Sequence, residues 1–293
     1  TEEMLKEVKV NYEAQPQAEA FLHKVRKIII EIPVSKKSRE YTHDQCAIGD
    51  VKTPLPRLAK TPVSFSFQTP TSVNLVGSYL LRTQAKPVLS IDVAVEMPIA
   101  LFQEKDFMNY RYHAKRSLYL ATVASALKKA LPELNDHADH MRFIDWQCDA
   151  NTPVLELHPV LQSEDASKNK TGKKKSRAKK PCKFVVRIIP SLATDAFSAS
   201  RLGPNRNAVR RRAVASALGG ENVQDDDGAD EVSTPHYNAA VLRDMYYNTH
   251  MTELHHAIEK TPGMTDAIIM LKVSGLLVRV VYIVWVLRSV GCL

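Results

Sequence analysis

The sequence predicts an α+β fold: a mixed sheet flanked by helices, followed by the start of a helical domain. Three observations point there. Apolar residues recur at helical spacing over 17–31 and over 106–130. Short apolar and β-branched runs stand between and after those segments. Beyond residue 234 the chain turns helical in character and stays so.

Each element follows from local pattern. Ala18, Phe21, Leu22, Val25, Ile28 and Ile29 make one helical face, and Pro33 ends it. Residues 34–62 are polar, with Pro54, Pro56 and Pro62 as breakers, and read as irregular. Ser72–Val76 is a short strand running into a Gly77-Ser78 turn, and Tyr79–Thr83 are the first turns of a helix. Val88–Met97 is apolar on both faces, as a central strand must be. Asp106 is the expected N-cap of the helix to Ala130, and Lys128 and Lys129 suit its C-terminal dipole. Met141–Gln147 and Pro153–Val160 form a hairpin with a turn longer than two residues. Lys183–Ile189 is a further strand, closed by Pro190. From Thr234 to Leu271 two helices are separated by Pro262-Gly263.

The domain plan is therefore a 1–220 α+β domain, an acidic linker over 221–233, and an incomplete helical domain over 234–293. The sheet domain carries a basic insertion at 163–181, expected to be disordered because it has almost no apolar residues to bury. The tail 273–293 is anomalously apolar. Its length suits a membrane helix, but Arg279 lies inside it, and an arginine near a bilayer centre costs about 2.5–3.5 kcal/mol. No membrane association is expected. The chain opens at Thr1 without an initiator Met or a signal peptide, and is expected to be a fragment.

Composition narrows the class. A 293-residue chain with 44% hydrophobic and 25% charged residues has enough apolar material for a core. Its net charge of +8 favours an anionic partner, nucleic acid first. Cys46, Cys148, Cys182 and Cys292 are far apart and form no CxxC pair, which argues against a disulfide framework or a zinc site. His250, His255 and His256 share a helical segment but face different sides of it, so no metal site is expected there.

The stretch Leu75-Val76-Gly77-Ser78, then Asp92-Val93-Ala94-Val95, has the outline of a nucleotidyltransferase active site. In such enzymes a Gly-Ser turn holds the triphosphate, and acids at i and i+2 of a strand share two metal ions on one face. Here the first acid is Asp92, and the second position is Ala94, which cannot ligate a metal. Glu96 is ~13 Å along the strand from Asp92 at normal rise. The third acid should come from Phe184–Ile189, which carries Val186 and Arg187 instead; Glu156, one strand earlier, is the other candidate. Gly77, Ser78, Asp92 and Ala94 are read as a degenerate site, with no catalytic residue, no metal and no cofactor. The alternative is an active metal-dependent RNA nucleotidyltransferase that uses Asp92 with Glu96 or Glu156.

Two basic runs are the candidate RNA contacts. The insertion holds Lys168, Lys170, Lys173, Lys174, Lys175, Arg177, Lys179 and Lys180. The second run holds Arg201, Arg206, Arg210, Arg211 and Arg212. No aromatic residues are interleaved, so phosphate contact is expected without base stacking. The insertion also has the composition of a nuclear or nucleolar targeting signal.

Several blocks together carry a family likeness. They are Leu75-Val76-Gly77-Ser78-Tyr79-Leu80; Ile91–Pro98 with Phe102, Lys105-Asp106 and Asn109–Tyr112; Lys115-Arg116 with Tyr119-Leu120; Lys183–Pro190; and Thr234–Asn238. In these the chain resembles the N-terminal region of the nucleolar RNA-associated protein (Nrap) family over roughly residues 15–272. The resemblance implies a nucleotidyltransferase-like domain joined to a helical poly(A)-polymerase-like domain, both without catalysis. It implies a scaffold of the nucleolar small-subunit processome, acting on pre-ribosomal RNA in small ribosomal subunit biogenesis. It also implies partners: a ribosomal-RNA-processing protein and casein kinase 2. The likeness breaks after Lys272, where Val273-Ser274 reads like translation through a splice donor.

Overall fold

The computed structural model describes residues 2–275 apart from 14, 58, 60, 88, 132–133, 135–139, 163–178, 182–183 and 211–231. Helices α1 (Glu2–Val8) and α2 (Pro16–Ile30) open the chain. Pro16 sits in the first turn of α2, where its missing N–H costs nothing, and Ala18, Phe21, Val25 and Ile29 are buried. The polar stretch read as irregular contains three short strands, β1 (Arg39–Tyr41), β2 (Ala47–Ile48) and β3 (Val51–Lys52), and β4 (Val63–Phe65) follows directly after it. They pair as β1 with β4 and β2 with β3. Ladders this short carry no periodic signal that a sequence pattern could show.

The centre is a five-stranded sheet in the order β5-β6-β11-β8-β7. Its strands are β5 (Ser72–Val76), β6 (Leu89–Met97), β7 (Met141–Trp146), β8 (Asp149–Leu157) and β11 (Phe184–Leu192). Strands β6 and β11 run parallel, while β5–β6, β11–β8 and β7–β8 are antiparallel. The sheet is thus mixed, as expected. A short β9 (Val160–Gln162) pairs with β10 (Lys179–Pro181) at the base of the basic insertion.

Two local expectations need correction. The β7–β8 turn is only two residues, Gln147-Cys148, with φ of 53° and 64°. Two left-handed residues are what a tight hairpin needs, and neither residue announces it as Asn-Gly would. Pro190 does not close β11 but lies within it. There β11 pairs with β6 alone, its contact with β8 having ended at Ile188, so one side of the strand is free of a ladder partner where a proline is best tolerated.

Helix α3 (Gly77–Leu80) is a single turn after β5, shorter than expected. Helix α4 (Arg111–Ala130) is buried on almost every side, as a core helix is. It begins five residues after Asp106, behind Tyr110 at φ 61°. Asp106 is therefore not its N-cap. Its carboxylate instead takes the Gln103 N–H at 2.9 Å and pairs with Lys115 at 2.7 Å. That pairing lets Lys115 stay buried, and Asp244 does the same for the fully buried Arg116 at 2.7 Å.

Helix α5 (Pro235–Lys260) opens the segment expected as a second domain. Its Tyr237, Val241 and Met245 join the same apolar core as α2, α4 and the sheet. Helix α6 covers 264–275 after the Pro262-Gly263 break. Among the described residues no helix is long and apolar enough to cross a membrane. The acidic residues over 221–231 and the tail from 276 lie outside the described residues.

Candidate functional site

Strand β6 alternates as a pleated strand must. Leu89, Ile91, Val93, Val95 and Met97 belong to the main core. The opposite face carries Ser90, Asp92, Ala94 and Glu96. Register then builds a row of charge across the sheet. Asp92 stands opposite Arg187 on β11, Arg187 opposite Glu156 on β8, and Glu156 opposite Arg142 on β7.

The row is wired from end to end. Arg187 Nη1 lies 3.6 Å from Asp92 Oδ1, and its Nε lies 3.6 Å from Glu156 Oε2. Arg142 donates to Glu156 Oε1 from Nη2 at 2.7 Å and from Nε at 3.0 Å. His158 Nε2 sits 2.8 Å from the same oxygen. The Arg187 guanidinium also lies over the Trp146 ring, 5.9 Å from its centroid. Burial pushes the Asp92 carboxyl above its usual range, against the pull of Arg187 and Lys272. Burial also acts to raise Glu156, but the hydrogen bonds from His158 and Arg142 outweigh it and leave that carboxyl below its usual range.

The Gly-Ser turn packs directly on Asp92. Gly77 has φ 71°, and a Cβ built there would lie 2.7 Å from Asp92 Oδ2. Both conformation and space demand glycine. The Gly77 N–H, a donor that a nucleotide phosphate would seek at this turn, already faces a group of the chain. The Gly77 N–H points to Met251 Sδ on α5 at 3.3 Å. Lys272 on α6 donates to Ser78 Oγ at 2.8 Å and to the Thr83 carbonyl at 2.9 Å. A cleft of about 340 Å³ remains beside them, lined by Asn74, Leu75, Met251 and His255 among others.

These residues do not fit a two-metal centre. Ala94 is buried, opposite Asn74 and Ile189, with no ligand atom to offer. Glu96 is held away by Asn248, which donates to it at 2.8 Å. Asp92 and Glu156 are separated by a guanidinium where a shared cation would need open carboxylate oxygens. Among the described residues no group of three or more His, Cys, Asp or Glu side chains is placed to hold a metal ion.

Sequence reasoning placed Gly77, Ser78, Asp92 and Ala94 in one neighbourhood. It did not find Met251 or Lys272, because neither follows a spacing rule from that turn. Of the basic insertion, Lys179 and Lys180 stand in β10, opposite Gln162 and Leu161. Lys168, Lys170, Lys173, Lys174, Lys175 and Arg177 lie outside the described residues, as do Arg211 and Arg212. Arg210 is exposed, on a loop far along the chain from the Gly-Ser turn.

Comparison with known proteins gives this site a setting. The family model described as Nrap protein domain 1 matches residues 30–260. Nucleolar protein 6 of Xenopus tropicalis is 32% identical over 273 residues, which is 93% of this chain and 21% of that protein. Nucleolar protein 6 of Homo sapiens is 31% identical over the same coverage. That of Drosophila mojavensis is 35% identical over 203 residues, 69% of this chain and 14% of its own. The chain spans about a fifth of the length of the first two relatives. The domain match and the extent of the similarity make this chain a nucleolar member of the Nrap family.

Proposed function

We propose that this chain is a non-catalytic scaffold and RNA-binding part of the small-subunit processome, acting in ribosomal RNA processing and small ribosomal subunit biogenesis. Its ligand is pre-ribosomal RNA. Its protein neighbours are processome components, including a ribosomal-RNA-processing partner and casein kinase 2. The observation that carries the non-catalytic part is Arg187, whose guanidinium lies 3.6 Å from each of the two acids that would have to share metal. A cation fixed there repels a divalent ion and takes up the carboxylate charge that would bind it. Met251 and Lys272 support the same reading by engaging the Gly77 N–H and the Ser78 hydroxyl.

The deciding experiment is nucleotide incorporation onto an RNA primer, with magnesium or manganese, by the folded chain and by Asp92→Ala. No incorporation by either protein is expected. Incorporation that Asp92→Ala abolishes would overturn the reading and make this an enzyme. RNA binding is read separately. Deletion of 168–180, which removes eight lysines and arginines, should lower affinity and flatten its dependence on salt.

A further inference from the structure

Residues of the loops 104–108 and 195–210 line a cleft of about 750 Å³. Lys105 stands on one wall, and Arg201, Arg206 and Arg210 on the other. All four are exposed, and among the described residues none of their side chains has an ion-pair partner. Glu104 and Asp195 also line the cleft, so four cations face two acids and leave a surplus of two.

Neutral groups hold the arginine loop in shape. Asn238, buried on α5, donates from Nδ2 to the carbonyls of Gly203 and Arg206, both at 2.9 Å. Thr234 Oγ1 accepts the Ala208 N–H at 2.9 Å. Asn109 ties the two walls together: its N–H donates to the Ala208 carbonyl at 2.9 Å, and its Oδ1 accepts the Arg210 N–H at 2.9 Å. Tyr237 donates to the Phe107 carbonyl at 2.6 Å. The block Thr234–Asn238 therefore acts as a clamp on a cationic loop. The backbone is fixed before any ligand arrives, and the guanidinium groups stay free for one.

We infer that this cleft binds the phosphate backbone of single-stranded RNA, with Lys105, Arg201, Arg206 and Arg210 as the contacts. The inference deepens the RNA-binding reading above and rests on it. The cations are spread around a space far wider than one phosphate, as a chain of phosphates requires. Arginine clusters also hold phosphorylated or acidic peptides, and the test below separates that occupant from RNA. The aromatic residues of the cleft, Phe107 and Phe197, are buried, so neither offers an anchor or a stacking surface for a base. The cleft grips backbone and does not read sequence.

The test is fluorescence anisotropy of a labelled single-stranded oligouridylate with the full chain, in a potassium chloride series. Four variants are compared with the parent: Arg201→Ala with Arg206→Ala, Arg201→Lys with Arg206→Lys, Lys36→Ala with Lys37→Ala outside the cleft, and deletion of 168–180. The double alanine variant should bind ~25-fold more weakly at about 0.1 M salt, and its salt slope should fall by about 1.4, because two phosphates are no longer neutralised. The same loss should appear in the deletion background. The double lysine variant should keep the slope, and the Lys36, Lys37 pair should leave binding unchanged. Both arginines are exposed, so melting should not move. If the parent binds RNA but the double alanine variant keeps its slope, the cleft is not the site and the wider RNA reading stands. If the parent binds no RNA, both fail. Binding of a phosphorylated acidic peptide that needs Arg201 and Arg206, without RNA binding, would make the cleft a protein-docking site and overturn the inference.

Discussion

The sheet row and the loop cleft use the same side chains in opposite ways. On the sheet, Arg142 and Arg187 are bound or close to Asp92 and Glu156, with contacts of 2.7–3.6 Å. In the cleft, Lys105, Arg201, Arg206 and Arg210 have no ion-pair partner among the described residues. The difference lies in what holds the backbone. In the row, opposite charges on neighbouring strands neutralise one another, through hydrogen bonds at Arg142 and through 3.6 Å ion pairs without hydrogen bonds at Arg187, and an incoming anion or cation would have to displace them. In the cleft, amide and hydroxyl groups of Asn109, Thr234 and Asn238 fix the loop, so its charges are left for a ligand. A cluster of charge is thus a poor sign of function until its internal pairing is known.

Three further experiments test this contrast. The largest effect is expected at the helix between the regions. His113 packs against the rings of Tyr110, Tyr112 and Tyr237, and burial lowers its pKa to about 4. The unfolded chain has an ordinary histidine, so it binds more protons between pH 6.5 and 4. Stability should therefore fall by about 3 kcal/mol as pH drops through that window. His113→Phe should remove most of this loss in urea unfolding at pH 7 and pH 4.5. Glu156 behaves differently: its carboxyl is lowered by the hydrogen bonds from His158 and Arg142, so its contribution is present at higher pH and is lost as pH falls through its folded pKa, while the raised Asp92 carboxyl beside Arg187 has the opposite sign. If His113→Phe leaves the upper stage unchanged, the histidine is not its source.

Next comes Arg187→Met, which leaves Asp92 and Glu156 facing each other without the cation between them. The side chain is 27% exposed, which tempers the cost of a broken buried pair. A loss of about 1–3 kcal/mol is expected, with a lower melting temperature and no change in RNA affinity. An unchanged melting temperature would mean that the row is not internal wiring. The smallest effect is Lys272→Met. Its ammonium is exposed and bonds Ser78 and Thr83, so about 0.5–1 kcal/mol should be lost, seen as faster hydrogen exchange in α6. Protection of α6 equal to the parent would show that Lys272 does not latch it.

Much of the scaffold was legible before any coordinates. Strand β5 falls on Ser72–Val76 as read, β6 is a strand over Leu89–Met97 with Val88 outside the described residues, and α2 matches the apolar face seen at Ala18, Phe21, Val25 and Ile29. These elements carry their periodicity within a few residues. That Ala94 shares a strand face with Asp92 and offers no carboxylate there was equally plain, because strand alternation fixes which residues share a face. The tight Gln147-Cys148 turn was hidden because neither residue carries a turn signal, and the start of α4 at Arg111 because a tertiary partner claimed the expected cap. Asp106 looked like a cap, but the buried ammonium of Lys115 claimed it.

Residue type and short-range period alone fixed the kind of elements, the basic character and the lack of a carboxylate at position 94. Tertiary structure decided what fills the site and which cations stay free. Arg187 reaches both acids only because β11 is inserted between β6 and β8. Lys272 meets Ser78 across 194 residues of chain. Lys105 faces the arginines only because Asn109 binds their loop. Such meetings depend on strand order and helix docking, which no local spacing encodes.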